Sequence, residues 1–252
     1  MKKVIALLMV LTMALAIAGC GTGSSNQGAG TAVDKKSEGV MTHDQYIAAE
    51  LDSEVVIETY VQAKQSWWDN KATFYTQDKD GAYFLYNMPC SEADYAKLVP
   101  GTKIKVTGYK AEWSGEVEIT EAKFEIQQGN FIATALDVTS LLGTDDLIKH
   151  QNEFVSFKGL TIESAGKDDG GKDVAFLYNW DGSGEDGSDL YFNVSIGGNT
   201  YTFTVESYLC DKSTAVYAAV KGLNIGDKVD MEGYLYWYNG VNPHITSVKV
   251  VK

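Results

Sequence analysis

Two stretches of this chain, 125 residues apart, repeat the same order of residues. The stretch LVPGTKIKVTGYKAEWSGEVEITEAKFEI at 98–126 aligns with LNIGDKVDMEGYLYWYNGVNPHITSVKVV at 223–251. The identical pairs are Leu98 and Leu223, Gly101 and Gly226, Lys103 and Lys228, Gly108 and Gly233, Tyr109 and Tyr234, and Gly115 and Gly240. An ordered series of matches at one offset is typical of a duplicated structural unit. The repeat therefore predicts two small units with the same fold.

Shorter matches precede this stretch in the same order. ATFYTQD at 72–78 is similar to AFLYNWD at 175–181, and EVVIETYVQA at 54–63 stands where EFVSFKGLTI stands at 153–162. These segments are rich in the β-branched and aromatic residues that strands prefer. We interpret them as corresponding strands of the two units.

The repeat also gives the expected domain boundaries. Each unit opens with a short segment of helical character, at 42–50 and at 144–150. We expect a first domain at 42–128 and a second at 144–252. The second unit contains an additional segment, DGSGEDGSDLYFNVSIGGN at 181–199, which we interpret as an inserted hairpin.

Within each unit the pattern is that of strands interrupted by one helix. In KIKVTGY, Ile104 and Val106 alternate with polar residues, as in a half-buried strand. Helical segments at 91–99 and 211–223 separate the third and fourth strands of the two units. This order, with glycines where a small barrel bends, is that of the OB-fold. Residues 42–252 resemble a bacterial lipoprotein with two tandem OB-fold domains, which implies an all-β fold with short helices and two tandem five-stranded barrels.

The N-terminal segment has the layout of a secretory signal. Residues 1–19 contain two lysines, then an apolar run, then small residues ahead of Cys20. The four residues that end in Cys20 resemble the lipobox of bacterial lipoproteins. This implies removal of 1–19 and attachment of lipid, with acyl chains such as palmitate, to Cys20. The Gly- and Ser-rich residues 20–41 would form a flexible tether, so we expect a membrane anchor and a position on the extracytoplasmic face of the cell membrane.

Charge argues against general nucleic-acid binding. The chain has a net formal charge of −13 and contains no arginine, and removal of the two lysines in 1–19 would make the charge −15. Such a chain gains little from phosphate contacts. Because OB-folds often bind single strands, single-stranded nucleic acid stays an alternative. Its phosphates would then contact lysines of the first barrel, namely Lys64, Lys71, Lys103, Lys105 and Lys110.

Catalytic and metal motifs are absent from the sequence. The three histidines, His43, His150 and His244, occur in no zinc spacing and in no Ser-His-Asp arrangement. We therefore expect no enzymatic activity and no cofactor. An acidic run supplies oxygen atoms that could surround calcium, but it departs from the EF-hand pattern, so we interpret it as a solvated loop and predict no metal site. Its calcium candidates are Asp181, Glu185, Asp186 and Asp189.

Several aromatic residues are the candidates for binding a ligand. Trp67 and Trp68 are adjacent, so in an extended segment only one of them can face the core. They fall in the loop between the first two strands, which borders the usual OB-fold binding face. In the second repeat, the alternation of side chains along the strand predicts that three tyrosines point outward, namely Tyr234, Tyr236 and Tyr238. A bulge at Gly233 would reverse this orientation. Trp113 lies in the corresponding segment of the first repeat.

Exposed rings suit the apolar faces of sugars without requiring positive charge. We therefore predict a non-enzymatic binding protein whose ligand is a glycan or a cell-wall oligosaccharide. The alternatives are single-stranded nucleic acid, a partner protein that docks at the membrane, and aromatic rings that pack the two barrels together.

Overall fold

The computed structural model describes residues 36–251. Three short helices are His43–Ala48 (α1), Glu92–Lys97 (α2) and Ala215–Lys221 (α3). The first five strands are Glu54–Lys64 (β1), Lys71–Gln77 (β2), Ala82–Pro89 (β3), Thr102–Trp113 (β4) and Glu116–Asn130 (β5). Five further strands are Leu136–Asp137 (β6), Phe154–Glu163 (β7), Gly166–Lys167 (β8), Asp173–Val174 (β9) and Leu177–Tyr178 (β10). The last four are Leu190–Ile196 (β11), Asn199–Val205 (β12), Lys228–Tyr234 (β13) and His244–Val251 (β14), and 3₁₀ turns lie at Thr139–Leu141 and Leu147–His150.

The first barrel is closed by strands β1 to β5 in the order β1-β2-β3-β5-β4. Neighbouring strands are antiparallel except β3 and β5, which pair in parallel through Phe84 with Glu118 and Leu85 with Ile119. Helix α2 connects β3 to β4, as in the OB-fold order. The barrel encloses one apolar core, to which strand residues such as Phe74 contribute.

The second barrel repeats this topology. Strands β11, β12, β14, β13 and β7 pair in that order, and β7 also pairs with β11, which closes the ring. The parallel contact, between Thr204 of β12 and His244 of β14, corresponds to the parallel contact of the first barrel. Helix α3 connects β12 to β13. The predicted fold class, all-β with short helices and two tandem five-stranded barrels, is confirmed.

The repeated glycines Gly108 and Gly233 mark the same bend in both barrels. The pairing register shifts at each of them, as at a β-bulge. A Cβ atom on Gly108 would lie 2.8 Å from the carbonyl oxygen of Thr120, and one on Gly233 would lie 2.3 Å from that of His244. Only glycine allows two backbones to approach this closely, which explains why the repeat keeps these positions.

The inserted-hairpin interpretation of 181–199 is wrong. Strands β11 and β12 are the second and third strands of the barrel itself, equivalent to β2 and β3. The segment 175–181, which we aligned with β2, precedes them and contributes only the short strand β10. Its aromatic residues resemble those of β2, but the regular alternation of buried side chains occurs in Leu190–Ile196. The additional residues of the second unit therefore form a long loop, 164–189, between the first two barrel strands.

A buried aromatic cluster joins the two barrels, which belong to one compact unit. Tyr75 and Phe84 of the first barrel pack with Tyr234 of the second, and all three are buried. The rings of Tyr75 and Tyr234 stack with centroids 4.5 Å apart. The Tyr75 hydroxyl also hydrogen-bonds to Nδ1 of His244 at 2.5 Å. Packing of rings between the barrels, one of the alternatives, therefore accounts for part of the aromatic content.

Candidate functional site

A cavity of about 590 Å³ opens beside this cluster and is lined by both barrels. We call it the aromatic cleft. Its rings are Phe84, Tyr86 and Trp113 from the first barrel and Trp180, Tyr191, Tyr236, Tyr238 and His244 from the second. Its polar lining residues are Gln65, Asp189, Glu206 and Asn242. Among the residues that the structure describes, no lysine lines it.

A hairpin turn brings Trp113 to the cleft. Ser114 and Gly115, which connect β4 to β5, have φ values of 52° and 90°. Two positive φ values are typical of the type I′ turn that suits a two-residue hairpin. The amide of Asn239 donates to the carbonyl oxygen of Ser114 at 2.7 Å. This bond fixes the tip of the first barrel's hairpin against the loop that carries Tyr238.

The floor of the cleft is a continuous layer of rings from both barrels. The ring of Phe84 lies 6.5 Å from that of Tyr86 and 5.4 Å from that of Tyr236, measured between centroids. Tyr236 in turn stacks on His244 at 4.2 Å. Burial lowers the pKa of His244 to about 3, so this ring is neutral at physiological pH. The floor is thus apolar and uncharged.

Three rings project from the rim into solvent. Trp113 is 62% exposed, Trp180 is 76% exposed and Tyr238 is 50% exposed. They come from the β4–β5 hairpin, from the long loop 164–189 and from the loop after β13. Large rings of this kind are usually covered in a folded protein, so their convergence on one cavity makes it the candidate binding surface.

Two carboxylates stand in the cleft wall. Both oxygens of Glu206 accept backbone hydrogen bonds, from the amides of Tyr208 at 3.1 Å and Leu209 at 2.8 Å. Burial, together with nearby Asp189, raises the pKa of Glu206 to about 7. Oδ1 of Asp189 accepts from the amide and the hydroxyl of Ser207. The loop backbone therefore holds both groups in place.

Two more carboxyl groups lie at the contact between the barrels. Glu116 is fully buried at the start of β5, and its Oε2 accepts from the amide of Trp237 at 2.9 Å. Its Oε1 has no hydrogen-bond partner among the described residues. Burial raises the pKa of Glu116 to about 8 and that of neighbouring Glu118 to about 7. Both groups are therefore largely protonated at pH 6 and below.

Trp67 and Trp68 take the two orientations that adjacent extended residues require. Trp67 packs against the core of the first barrel, and its Nε1 donates to the carbonyl oxygen of Cys90 at 3.0 Å. Trp68 is 74% exposed and begins the turn that leads into β2. Both line a second cavity of about 530 Å³, which shares Gln65 and Tyr86 with the aromatic cleft.

Because Trp67 is half-buried and hydrogen-bonded, Trp67→Ala should lower the free energy of unfolding by about 2 kcal/mol, less than the full cost of removing a core tryptophan. Trp68→Ala should change it by less than about 0.5 kcal/mol, as for other exposed side chains. Urea unfolding of both variants measures the difference. Equal losses would contradict this assignment of the two rings.

The other aromatic candidates divide between the cleft and the core. Trp113, Tyr236 and Tyr238 line the cleft. The prediction of an exposed Tyr234 is wrong, because the bulge between Glu232 and Gly233 changes the phase of β13 and turns this ring into the core between the barrels. Six further rings line the two cavities and were not predicted from the sequence, namely Phe84, Tyr86, Trp180, Tyr191, Tyr208 and His244.

The acidic candidates for calcium serve other contacts. Asp186 pairs with Lys221 at 2.5 Å and with Lys212 at 3.7 Å. Asp181 Oδ1 accepts from the amide of Ser183. Glu185 is exposed in the same loop, and Asp189 is bonded to Ser207 as described above. Within 36–251, no three His, Cys, Asp or Glu residues are grouped closely enough to hold a metal ion.

The predicted lipidation site, Cys20, and the rest of 1–35 lie outside the described residues. In the described part, no helix has the length and apolar character needed to cross a membrane. The thiols of Cys90 and Cys210 are free and buried. Burial raises the pKa of both thiols, that of Cys210 to about 11, so neither is an activated nucleophile.

No protein-family model matches the chain, and no curated protein is similar to it in sequence. Several solved structures are similar in architecture. One is a murine DNA-binding protein bound with double-stranded DNA, with 9% identity, a TM-score of 0.37, and coverage of 78% of this chain and 97% of that chain. Another is the Ifi202 HINa domain in complex with 20-bp double-stranded DNA, with 12% identity, a TM-score of 0.33, and coverage of 79% and 100%.

A third is the replication protein A heterotrimer bound to single-stranded DNA, with 11% identity, a TM-score of 0.31, and coverage of 85% of this chain and 52% of that chain. Structures this distant give no argument about the ligand of the present chain. That question depends on the chain's own side chains, which form an aromatic cleft with two carboxylates in its wall.

Proposed function

We propose that this protein is a non-enzymatic binding protein and that the aromatic cleft holds its ligand, a glycan or a cell-wall oligosaccharide. The observation that carries the proposal is the convergence of three exposed rings, Trp113, Trp180 and Tyr238, on one cavity from both barrels. Exposed indole and phenol rings offer flat apolar faces on which the C–H faces of a sugar can stack.

The remaining lining supports a polar ligand of this kind. Gln65 and Asn242 supply amide groups that can donate to and accept from hydroxyl groups. A few polar groups among many rings is the usual composition of a ligand site. Because the second cavity shares Gln65 and Tyr86 with the cleft, an extended oligosaccharide can continue from one cavity into the other.

We also propose that the protein is a lipoprotein anchored through Cys20 on the extracytoplasmic face of the cell membrane. The support is the sequence alone, in which the signal-like residues 1–19 end directly before Cys20. Cys20→Ser should move the protein from the membrane fraction to the soluble fraction. Mass spectrometry of the mature N-terminus should find a lipid-modified cysteine, and a serine variant that stays fully in the membrane fraction would contradict the proposal.

Single-stranded nucleic acid is the second candidate. The same rings can stack on bases, and Lys71 lines the second cavity beside Trp68. Nucleic acid is also the ligand in the three similar structures, although their low similarity adds no weight. A partner protein that docks on the exposed rings is the third candidate.

Three of the five lysines proposed for a nucleic-acid groove are engaged elsewhere. Lys64 donates to the carbonyl oxygen of Tyr95 at 2.5 Å, and Lys103 pairs with Glu58 at 2.9 Å. Lys110 is buried and donates to three carbonyl oxygens at the end of α1. Phosphate binding would have to break these contacts. The carboxylates of the cleft would also repel phosphate, so the charge distribution favours the glycan.

Binding by cleft variants tests the proposal. A glycan screen should identify a ligand, and Trp113→Ala and Trp180→Ala should each weaken its binding by about 1–3 kcal/mol, as for a base stacked on an aromatic ring, which is about five-fold to over a hundred-fold in Kd. Tyr109→Ala is the matched control, because this ring is exposed but lines neither cavity. Equal binding by all three variants would contradict the proposal.

Salt dependence separates the candidates. Binding of a glycan, which carries few charges or none, should change much less between 50 and 200 mM salt than binding of single-stranded DNA, which should weaken steeply because counterions are released. Oligothymidylate and the glycan are measured side by side at both salt concentrations. If the oligonucleotide binds in a salt-sensitive way that Lys71→Gln abolishes and Trp113→Ala does not change, this result would contradict the glycan proposal and favour nucleic acid as the ligand.

A further inference from the structure

We propose that the ligand of the aromatic cleft carries an ammonium group, which binds between the exposed rings and the carboxylates of Asp189 and Glu206. This inference rests on the proposal that the cleft is the binding site, and it narrows the ligand from any flat-faced glycan to one with a cationic substituent. A free amine on a sugar and a quaternary ammonium group share this chemistry.

The exposed rings of the cleft can bind a cation. A cation is attracted to the face of a tryptophan or tyrosine ring by the negative charge of its π system, and groups of such rings recognise ammonium ligands. Trp113, Trp180 and Tyr238 border the cavity with a large part of each ring uncovered. Among the described residues, the cleft lining supplies no side-chain cation to occupy these faces.

The two carboxylates of the cleft, Asp189 and Glu206, lack a counter-charge in the part of the chain that the structure describes. Glu206 is 9% exposed, so a charge beside it is only weakly screened by water. Its two oxygens are fixed by the amides of Tyr208 and Leu209, and Asp189 is fixed by Ser207. Neither carboxylate has an ion-pair partner among the described residues, although nine-tenths of Glu206 is buried. An ammonium group in the cleft would supply the missing counter-charge.

The protonation of Glu206 agrees with this arrangement. Its pKa of about 7 means that about half of the molecules carry a proton there at neutral pH. An ammonium ligand favours the ionised form and releases this proton. The titratable groups around Glu206, which also influence this equilibrium, are Asp189, Cys210, Tyr75, Tyr191, Tyr236 and His244. His244 stays neutral and the tyrosines stay protonated over the range from pH 6 to 8. Glu206 therefore changes its charge in the cleft wall, and Glu116 and Glu118, which lie near Tyr236, also lose protons in this range.

Choline and its uncharged isostere 3,3-dimethylbutan-1-ol are the probes, because they have the same shape and differ in charge. Calorimetric titration of the full chain should give at least ten-fold tighter binding of choline. Glu206→Gln and Asp189→Asn should each reduce this preference at least three-fold. Glu92→Gln, which removes an exposed carboxylate on α2, is the matched control and should leave it unchanged.

The pH dependence provides an independent readout. Choline keeps its charge at all pH values, so its binding by the unsubstituted chain should tighten as the pH rises from 6 to 8 and Glu206 loses its proton. The same titration of Glu206→Gln should change clearly less with pH, and the change that remains would come from Glu116 and Glu118. Asp189→Asn keeps the oxygen that accepts from Ser207, so it remains a usable variant even if Glu206→Gln fails to fold.

Equal binding of the two probes, or no binding of either, would overturn the ammonium proposal. A positive glycan screen with loss of binding in Trp113→Ala would then leave the cleft in place as a glycan site. The variants Trp113→Ala and Trp180→Ala should reduce the preference for choline over its isostere. If neither variant changes this preference, the ammonium group binds outside the cleft, and the inference is overturned.

Discussion

Tyr234→Ala should lower the free energy of unfolding by about 3–5 kcal/mol, the usual cost of removing a large aromatic side chain from a core. The ring is almost completely buried and stacks on Tyr75 between the two barrels. Its removal leaves a cavity at the contact between the barrels, which neighbouring side chains cannot fill without moving both barrels. Urea unfolding, followed by circular dichroism, measures the loss.

Tyr238→Ala is the matched control for this variant. The two tyrosines are four residues apart, but the ring of Tyr238 is half-exposed at the rim of the aromatic cleft. Its removal should change the free energy of unfolding by less than about 0.5 kcal/mol and should weaken ligand binding. Similar stability losses in the two variants would contradict the separation of the tyrosines into core and cleft.

Stability should fall as the pH rises from 6.5 to 8. The pKa of Glu116 is raised to about 8 in the folded protein, whereas an unfolded chain has a glutamate pKa near 4.3. Between these values the folded state holds a proton that the unfolded state has lost, so folding becomes less favourable with increasing pH. One such group changes the free energy of unfolding by up to about 1.4 kcal/mol per pH unit.

Between pH 6.5 and 8 the buried carboxyl groups, rather than the histidines, dominate the change of the free energy of unfolding with pH. The pKa values of His43 and His244 are lowered by burial, so these residues make stability rise with pH below about 6.5. Above this pH the histidines of the unfolded chain are less than half protonated, so the two together offset less than about 1 kcal/mol of the decline over the window. Glu118 and Glu206, with pKa values of about 7, add to the decline only in its first part. We expect a total loss of about 2–3 kcal/mol over the window.

Glu116→Gln should remove about half of this pH dependence, because Glu118 and Glu206 supply the rest. The glutamine keeps an oxygen that can accept from the amide of Trp237, and it cannot ionise. Urea unfolding at pH 6.5, 7, 7.5 and 8 gives the slope for both chains. The account of Glu116 as a buried, protonated group would be wrong if the variant retained the full slope or if stability rose across the window.

The sequence was sufficient to predict the tandem barrels because the repeat preserves positions with strict backbone requirements. Gly108 and Gly233 match because each allows the neighbouring strand to approach at the same bend. The alternation in β4, where Ile104 and Val106 are buried, follows directly from the two-residue period of a strand. Such local constraints can be recognised in one sequence.

The predictions from the sequence are wrong or incomplete for features that depend on tertiary contacts. Tyr234 was expected on the surface, and the bulge that turns it inward cannot be distinguished from a regular strand by periodicity alone. The sequence does not predict the cleft, because residues such as Tyr86 and Trp180 are 94 positions apart and both line it only after the barrels pack together. Trp180 was assigned to a strand, although it belongs to the long loop 164–189.

The most direct test of the central claim uses the indole N–H signals of the five tryptophans in a ¹⁵N-correlated NMR spectrum. Single Trp→Phe variants assign them, and the ligand from the glycan screen is then titrated into the full chain. The signals of Trp113 and Trp180 should shift together with one Kd, because both indoles border the cleft. The signal of Trp237 should change least, because this indole packs against the core of the second barrel and lines neither cavity. Saturation of the protein with ligand while the signals of Trp113 and Trp180 remain unchanged would contradict the cleft as the binding site.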